Sequence, residues 1–194
     1  MNAPAPAQAL DVPFVLQSVA DGVATLTLNR GDRFNPLSSG MIAALIEALD
    51  GIAKDAAIRV VVLAANGRGF CAGHDLKELR AHPDEAWQKK LFAACGELML
   101  RIVRLPQPVI ARVHGIATAA GCQLVSTCDL AVSTDDARFA LPGVNIGLFC
   151  STPAVGVGRN VNRKRTMEML LTGDMVDAPT ALDWGLVNRV VPAA

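Results

Sequence analysis

Val60-Val61-Val62-Leu63-Ala64-Ala65-Asn66-Gly67-Arg68-Gly69-Phe70-Cys71-Ala72-Gly73-His74-Asp75-Leu76 decides the reading of this chain, and Pro108-Val109-Ile110-Ala111-Arg112-Val113-His114-Gly115-Ile116-Ala117-Thr118-Ala119-Ala120-Gly121-Cys122-Gln123-Leu124 repeats its logic. Each opens on a short apolar run bounded by glycine, the mark of a buried strand. Each then empties into small residues and a helix. Small residues let a ligand approach the backbone closely, and a helix N-terminus offers unpaired N–H groups. Two such loops brought together aim two N–H donors at one oxygen, which is the geometry of an oxyanion hole.

Outward from these stretches, the composition suits one domain. The chain has 194 residues, and a hydrophobic fraction of 52% supports a buried core. Lys plus Arg equals Asp plus Glu at 18 each, so no net charge draws the protein to nucleic acid or to a membrane surface. No apolar run reaches membrane-spanning length. Met1 to Leu10 is rich in Ala and Pro, with neither basic residues nor a hydrophobic segment, so it reads as neither a secretory signal nor a mitochondrial presequence. Residues 1–11 are expected to form a disordered tail. The five cysteines are odd in number, lack a Cys-x-x-Cys spacing and sit among apolar neighbours, which points to reduced thiols in a cytoplasmic protein. The three histidines do not pair with Cys or acids at metal-ligand spacing, so no metal is expected.

Before the first stretch, Val12–Val19 and Val23–Asn29 read as strands, and Asp21-Gly22 between them is a hairpin signal. Ser39–Lys54 reads as a helix with Met41, Leu45, Leu49 and Ile52 on its core face. Ile58–Ala65 is the next strand. Between the two quoted stretches, Glu85–Arg104 reads as one long helix with Asp84 as its N-cap. Trp87 and Phe92 are candidates for pocket lining or for core packing. After the second stretch, whose helix spans Ala120–Thr127, a strand is expected at Cys128–Ser133. Arg138–Gly143 is expected to lead into a Gly-bearing loop, and helices are expected near Pro153–Asn160, Arg163–Leu171 and Ala178–Trp184. A last strand is expected over Val187–Val191.

The motifs resemble those of the crotonase superfamily (enoyl-CoA hydratase/isomerase). Its first signature, Phe-x-Ala-Gly-x-Asp-Leu, is matched by Phe70 to Leu76. The second, Asn-Gly-x-Ala-x-Gly-Gly-Gly-x-Glu-Leu, is matched with changes by His114 to Leu124. The resemblance extends from about Val12 to the last residue. It implies an α/β fold, a spiral of ββα turns filling residues 12–194 as one acyl-CoA-binding domain. Family members continue past the position of Ala194 with several dozen helical residues that complete the acyl site and support trimers. The resemblance therefore implies that a C-terminal helical segment is missing here, and a homotrimer or dimer of trimers if those helices exist. A coenzyme A thioester is the implied ligand, as substrate and not as a resident cofactor. Its carbonyl oxygen is expected between the backbone N–H groups of His74 and Ala120. Ala72, Asp75, Leu76 and Gly121 are expected around it. Arg33, Asn35 and Leu37 resemble the segment beside the nucleotide end, although a turn capped by Ser38 or Ser39 is an equally plain reading of that loop.

The same resemblance shows what is lacking. The family's two usual catalytic Glu side chains fall where this chain has Gln123 and Gly143. Gln orients a water but takes no proton at neutral pH, and Gly does neither. A general acid–base contribution is worth ~10²–10⁴-fold, and each oxyanion donor ~10²–10³-fold. The carbonyl-polarising half survives and standard hydration is doubtful. The run Pro142 to Pro153 is similar to a divergent subfamily of enoyl-CoA hydratase domain-containing proteins. Cys150 replaces a usual Pro there and either faces the acyl site or is a buried structural thiol. Decarboxylation of a malonyl-type thioester, which generates its own enolate, is one reaction that needs only the hole. Gly156-Val157-Gly158 has no strand before it, which excludes a dinucleotide loop. Two functions stay open: an acyl-CoA lyase or isomerase with altered catalytic residues, and a non-catalytic acyl-CoA binder or scaffold.

Overall fold

The computed structural model describes residues 12–193, so the expected tail at 1–11 lies outside the described residues. Strands β1 (Val15–Ala20) and β2 (Val23–Leu28) pair antiparallel, with Ala20 opposite Val23. The intervening Asp21 and Gly22 have φ of 51° and 79°, the mirror-image turn that matches strand twist. Period two is strict in β2: Ala24, Leu26 and Leu28 are fully buried. Helix α1 (Ser39–Ile52) starts at Ser38, whose side chain accepts from the Met41 N–H. It buries Met41, Leu45, Leu49 and Ile52 as the helical spacing requires.

Strand β3 (Val60–Ala65) runs parallel to β2 and to β4 (Val109–Val113). Between β3 and β4 lie a short helix α2 (Leu76–Ala81) and the long α3 (Glu85–Arg104), the latter capped by Asp84. With β6 (Leu130–Thr134) and β9 (Arg189–Val191) these strands form a six-stranded sheet in the order β1-β2-β3-β4-β6-β9. Its core is closed by α1 and by the Leu91, Cys95, Leu98, Met99 and Ile102 face of α3.

A second sheet corrects the sequence reading. The residues after β4 read from the sequence as a small-residue loop, and those from Arg138 as a segment leading into a loop. They form β5 (Ile116–Thr118) and β7 (Arg138–Ala140), which pair parallel, and β8 (Val176–Asp177) joins β7 antiparallel. Strands of two or three residues carry no readable periodicity, and their partners lie far away in sequence. Helices α4 (Ala120–Thr127), α5 (Ser151–Asn160), α6 (Arg163–Thr172) and α7 (Ala178–Asp183) complete the chain. Four expected strands begin later than their composition suggested, at Val15 instead of Val12, Val60 instead of Ile58, Leu130 instead of Cys128 and Arg189 instead of Val187. Among the described residues no helix is long and apolar enough to cross a membrane.

Candidate functional site

The second sheet brings the two signature loops together. Phe70 and Cys71 donate their N–H groups to the Ile116 carbonyl, and Thr118 donates back to the Cys71 carbonyl at 2.9 Å. The Thr118 hydroxyl donates to the Ala72 carbonyl at 3.1 Å. The glycines make the approach possible. A Cβ on Gly121 would lie 2.1 Å from the Cys71 carbonyl oxygen, and one on Gly73 would lie 2.9 Å from the Ala119 Cβ and 3.3 Å from the Ala120 nitrogen. Gly73 also has φ of 94°, where side chains are strained.

Ala120 opens α4, so its N–H has no partner within the helix. Ala119 before it has φ of 50° and ψ of −121°, and its own N–H is tied to the Ala140 carbonyl at 2.9 Å. The other loop is pinned by Leu37, which donates its N–H to the Gly73 carbonyl at 2.8 Å. Backbone of the His74 loop and the first N–H of α4 therefore meet at one place, held from both sides.

The remaining predicted site residues are distributed unevenly around this meeting point. Asp75 caps α2, its Oδ1 accepting from the Lys77 and Glu78 N–H groups. Leu76 is 45% exposed at the start of that helix. Asn35 is fully buried: its amide donates to the carbonyls of Asn66 and Gly69, and its oxygen accepts from the Arg30 N–H. Leu37 is a fully buried core side chain. Leu37 therefore touches the site through its backbone, while the Asn35 side chain holds the loop that precedes Phe70. Arg33 projects into solvent, 3.6 Å from Asp32, and the structure does not bring it to the two loops.

Gln123, one turn into α4, is 7% exposed, and its Oε1 is buried without a hydrogen-bond partner. Gly143 is packed against the segment that follows it; a Cβ there would lie 2.9 Å from both the Cys150 Sγ and the Leu148 carbonyl oxygen. No longer side chain fits that position in this loop arrangement. Cys150 is buried, and burial pushes its thiol pKa up, away from the reactive thiolate. The thiols of Cys71 and Cys122 are pushed up to about 12 by complete burial.

Sequence reasoning missed the setting of the His74 ring. Its Nδ1 lies 3.2 Å from the Leu37 carbonyl oxygen, and Phe92 of α3 meets it edge-on at 5.1 Å between centroids. Burial lowers its pKa, opposed by the Leu37 carbonyl and by Glu78. Glu78 was also missed. The spacing Asp75-x-x-Glu78 is that of a capping box, yet the Glu78 carboxylate instead accepts from the Ser39 N–H at 2.9 Å and bonds the Ser39 hydroxyl. It thereby ties α2 to the positive N-terminus of α1.

Comparison with known proteins decides the family, since residues 18–194 match the family described as Enoyl-CoA hydratase/isomerase. The chain belongs to the enoyl-CoA hydratase/isomerase family. It is similar to a Xenopus laevis protein named enoyl-CoA hydratase domain-containing protein 3, mitochondrial, with 47% identity over 180 residues, 93% of this chain and 61% of the relative. The human protein of that name is 44% identical over 174 residues, 90% of this chain and 57% of the relative. The crystal structure of an enoyl-CoA hydratase from Mycobacterium smegmatis superposes with a TM-score of 0.91 at 62% identity, over 93% of this chain and 70% of that one. The human structure of domain-containing protein 3 gives a TM-score of 0.90 at 42% identity, over 92% and 71%. The crotonase-like fold and the resemblance to that subfamily hold. The chain spans about three-fifths of the length of these curated relatives.

Proposed function

We propose that this family member binds an acyl-CoA thioester and polarises its carbonyl between the N–H groups of His74 and Ala120. The observation that carries this reading is the contact of Gly73 with Ala119 and Ala120, which sets the start of α4 against the His74 loop. A thioester oxygen seated there receives two backbone donors from groups that need no reorganisation. The Gln123 amide and Gly143 supply no proton transfer, so the protein performs carbonyl-activating chemistry of the lyase or isomerase kind and not hydration at ordinary rates. A non-catalytic acyl-CoA binder is the second reading, favoured by the same two positions.

The family resemblance supports assembly as a homotrimer or dimer of trimers. A run of apolar residues around the start of α5, among them Ile146, Leu148 and Phe149, each more than half exposed, offers surface for it. The buried thiols suit a reducing compartment, for which cytoplasm is our reading; the relatives above carry the word mitochondrial in their names.

The test titrates crotonyl-CoA for binding and then follows loss of its conjugated absorbance, with Gln123→Glu and Ala120→Pro alongside. Proline is tolerated at the first position of a helix, where it removes only an N–H that had no helical partner. Binding without turnover by the wild type, and weakened binding by Ala120→Pro with an unchanged circular dichroism spectrum, are expected. Ordinary hydratase turnover would sink the reading of Gln123 and Gly143. Unchanged affinity in Ala120→Pro would sink the oxyanion hole.

A further inference from the structure

We propose that the free edge of β1 is a self-association surface, taken by β1 of a second copy of the chain in antiparallel register about a two-fold axis through Gln17. The contact is separate from the acyl-CoA site and from the apolar run before α5.

β1 ends the six-stranded sheet, with β2 as its neighbour on one side. The two-residue turn makes Ala20 and Val23 a hydrogen-bonded pair, and such pairs alternate along the hairpin from there. Ser18, Leu16 and Phe14 therefore bond toward β2, and the Asn29 N–H on the Phe14 carbonyl at 2.8 Å keeps that phase. Val15, Gln17 and Val19 point their N–H and C=O groups the other way. Among the described residues no strand lies beyond them.

Proteins guard such an edge with charge, proline, a bulge, shortness or a covering element. The opposite edge of this sheet is guarded: β9 has three residues and opens on Arg189. β1 is not. It has six residues, with neither charge nor proline among them, in unbroken register with β2. Leu16 through Ala20 are exposed on both faces of the strand, so no helix covers it. Leu16 is 41% exposed and Val19 51%. An uncharged strand with apolar side chains in water and a row of unpaired backbone groups is a template for another strand.

The strand fits itself. With Gln17 opposite Gln17 of the second copy, Val15 faces Val19 and Leu16 faces Ser18 in both directions. This is the antiparallel register that pairs all three outward residues at once. A Gln side chain carries a donor and an acceptor, so the two Gln17 amides bond each other. The valine pairs cover β-branched side chains that water now reaches. No like charges meet across the contact, and the chain has no net charge to oppose it.

The test uses the full chain. Leu16→Cys and Ser18→Cys are made as separate proteins and mixed under mild oxidation. In the proposed register these positions form a non-hydrogen-bonded pair with Cα atoms about 4.5 Å apart, within reach of a disulfide. The native cysteines are buried and stay out of the reaction. The mixture is expected to give a covalent dimer, and neither variant alone is. Gln17→Pro removes an N–H that faces away from β2, which an edge strand tolerates. It should weaken self-association in sedimentation ~10-fold or more, with the circular dichroism spectrum unchanged. Gln17→Lys should weaken it likewise and regain it when mixed with Gln17→Glu. A mixture that gives no covalent dimer, or single variants that crosslink as fast as the mixture, overturns the proposal. So does sedimentation of Gln17→Pro and Gln17→Lys indistinguishable from that of the wild type, which would leave the edge to an extended segment of another protein.

Discussion

Gly121 carries the closest approach in the site. Adding a methyl group there would place it 2.1 Å from the Cys71 carbonyl oxygen, and backbone does not yield as a flexible side chain does. Gly121→Ala is expected to destabilise the protein by about 1–3 kcal/mol, as overpacking does, and to weaken acyl-CoA binding by separating the two loops. Urea unfolding and calorimetry check both. The His74 ring makes a second residue-scale prediction. Its folded pKa lies below its ordinary 6.5, so below that pH the unfolded chain binds a proton that the native chain refuses. Stability then falls as pH drops from 6.5 through the folded value, and the ring contributes no pH dependence above 6.5. Urea midpoints at about pH 7.5 and about pH 5.5 should therefore differ less in His74→Gln than in the wild type. An equal difference in both proteins would refute the burial of the ring. The glycines of this site were readable in the sequence, because a small residue after a strand has a local meaning. The fates of Asn35 and Leu37 were not, because burial is set by what packs on top of them.

At the scale of elements, α4 depends on the backbone that launches it. Ala119 holds φ of 50° and ψ of −121° without the freedom of a glycine. Such strain costs about 1–3 kcal/mol, against about 0.4–1 kcal/mol lost when a glycine loosens the unfolded chain. Ala119→Gly is expected to raise the urea midpoint with the fold unchanged, and a lowered midpoint would show that the turn is unstrained. The longer elements were legible from periodicity: α1 and α3 bury the stripes that their spacing marks, and Asp21-Gly22 forms the turn that its composition demands. The second sheet was not legible. Ile116–Thr118 and Arg138–Ala140 are held as strands by each other and by Cys71, none of which is near in sequence.

Across the whole molecule, the core lies between the six-stranded sheet and its covering helices, while the segment leading into α5 presents Ile146, Leu148 and Phe149 outward. Exposure of large apolar side chains in one run suits contact with another copy of the chain. Sedimentation is expected to show an oligomer, and Leu148→Ser with Phe149→Ser is expected to shift it toward the monomer with the circular dichroism spectrum preserved. A wild type that sediments as a monomer at every concentration would remove the proposed assembly.

The sequence by itself determined the hydrophobic periodicity, the turn chemistry and the two small-residue motifs, since each depends on residues a few positions apart. It also placed Gln and Gly at positions 123 and 143. Tertiary structure decided which of those residues face one another. It sank Asn35 into a knot of carbonyls, gave Glu78 to α1, packed Gly143 against Cys150, and left a lone pair of His74 without a partner. Hydrogen-bond satisfaction and desolvation are properties of the full set of neighbours around an atom, and those neighbours come from distant parts of the chain.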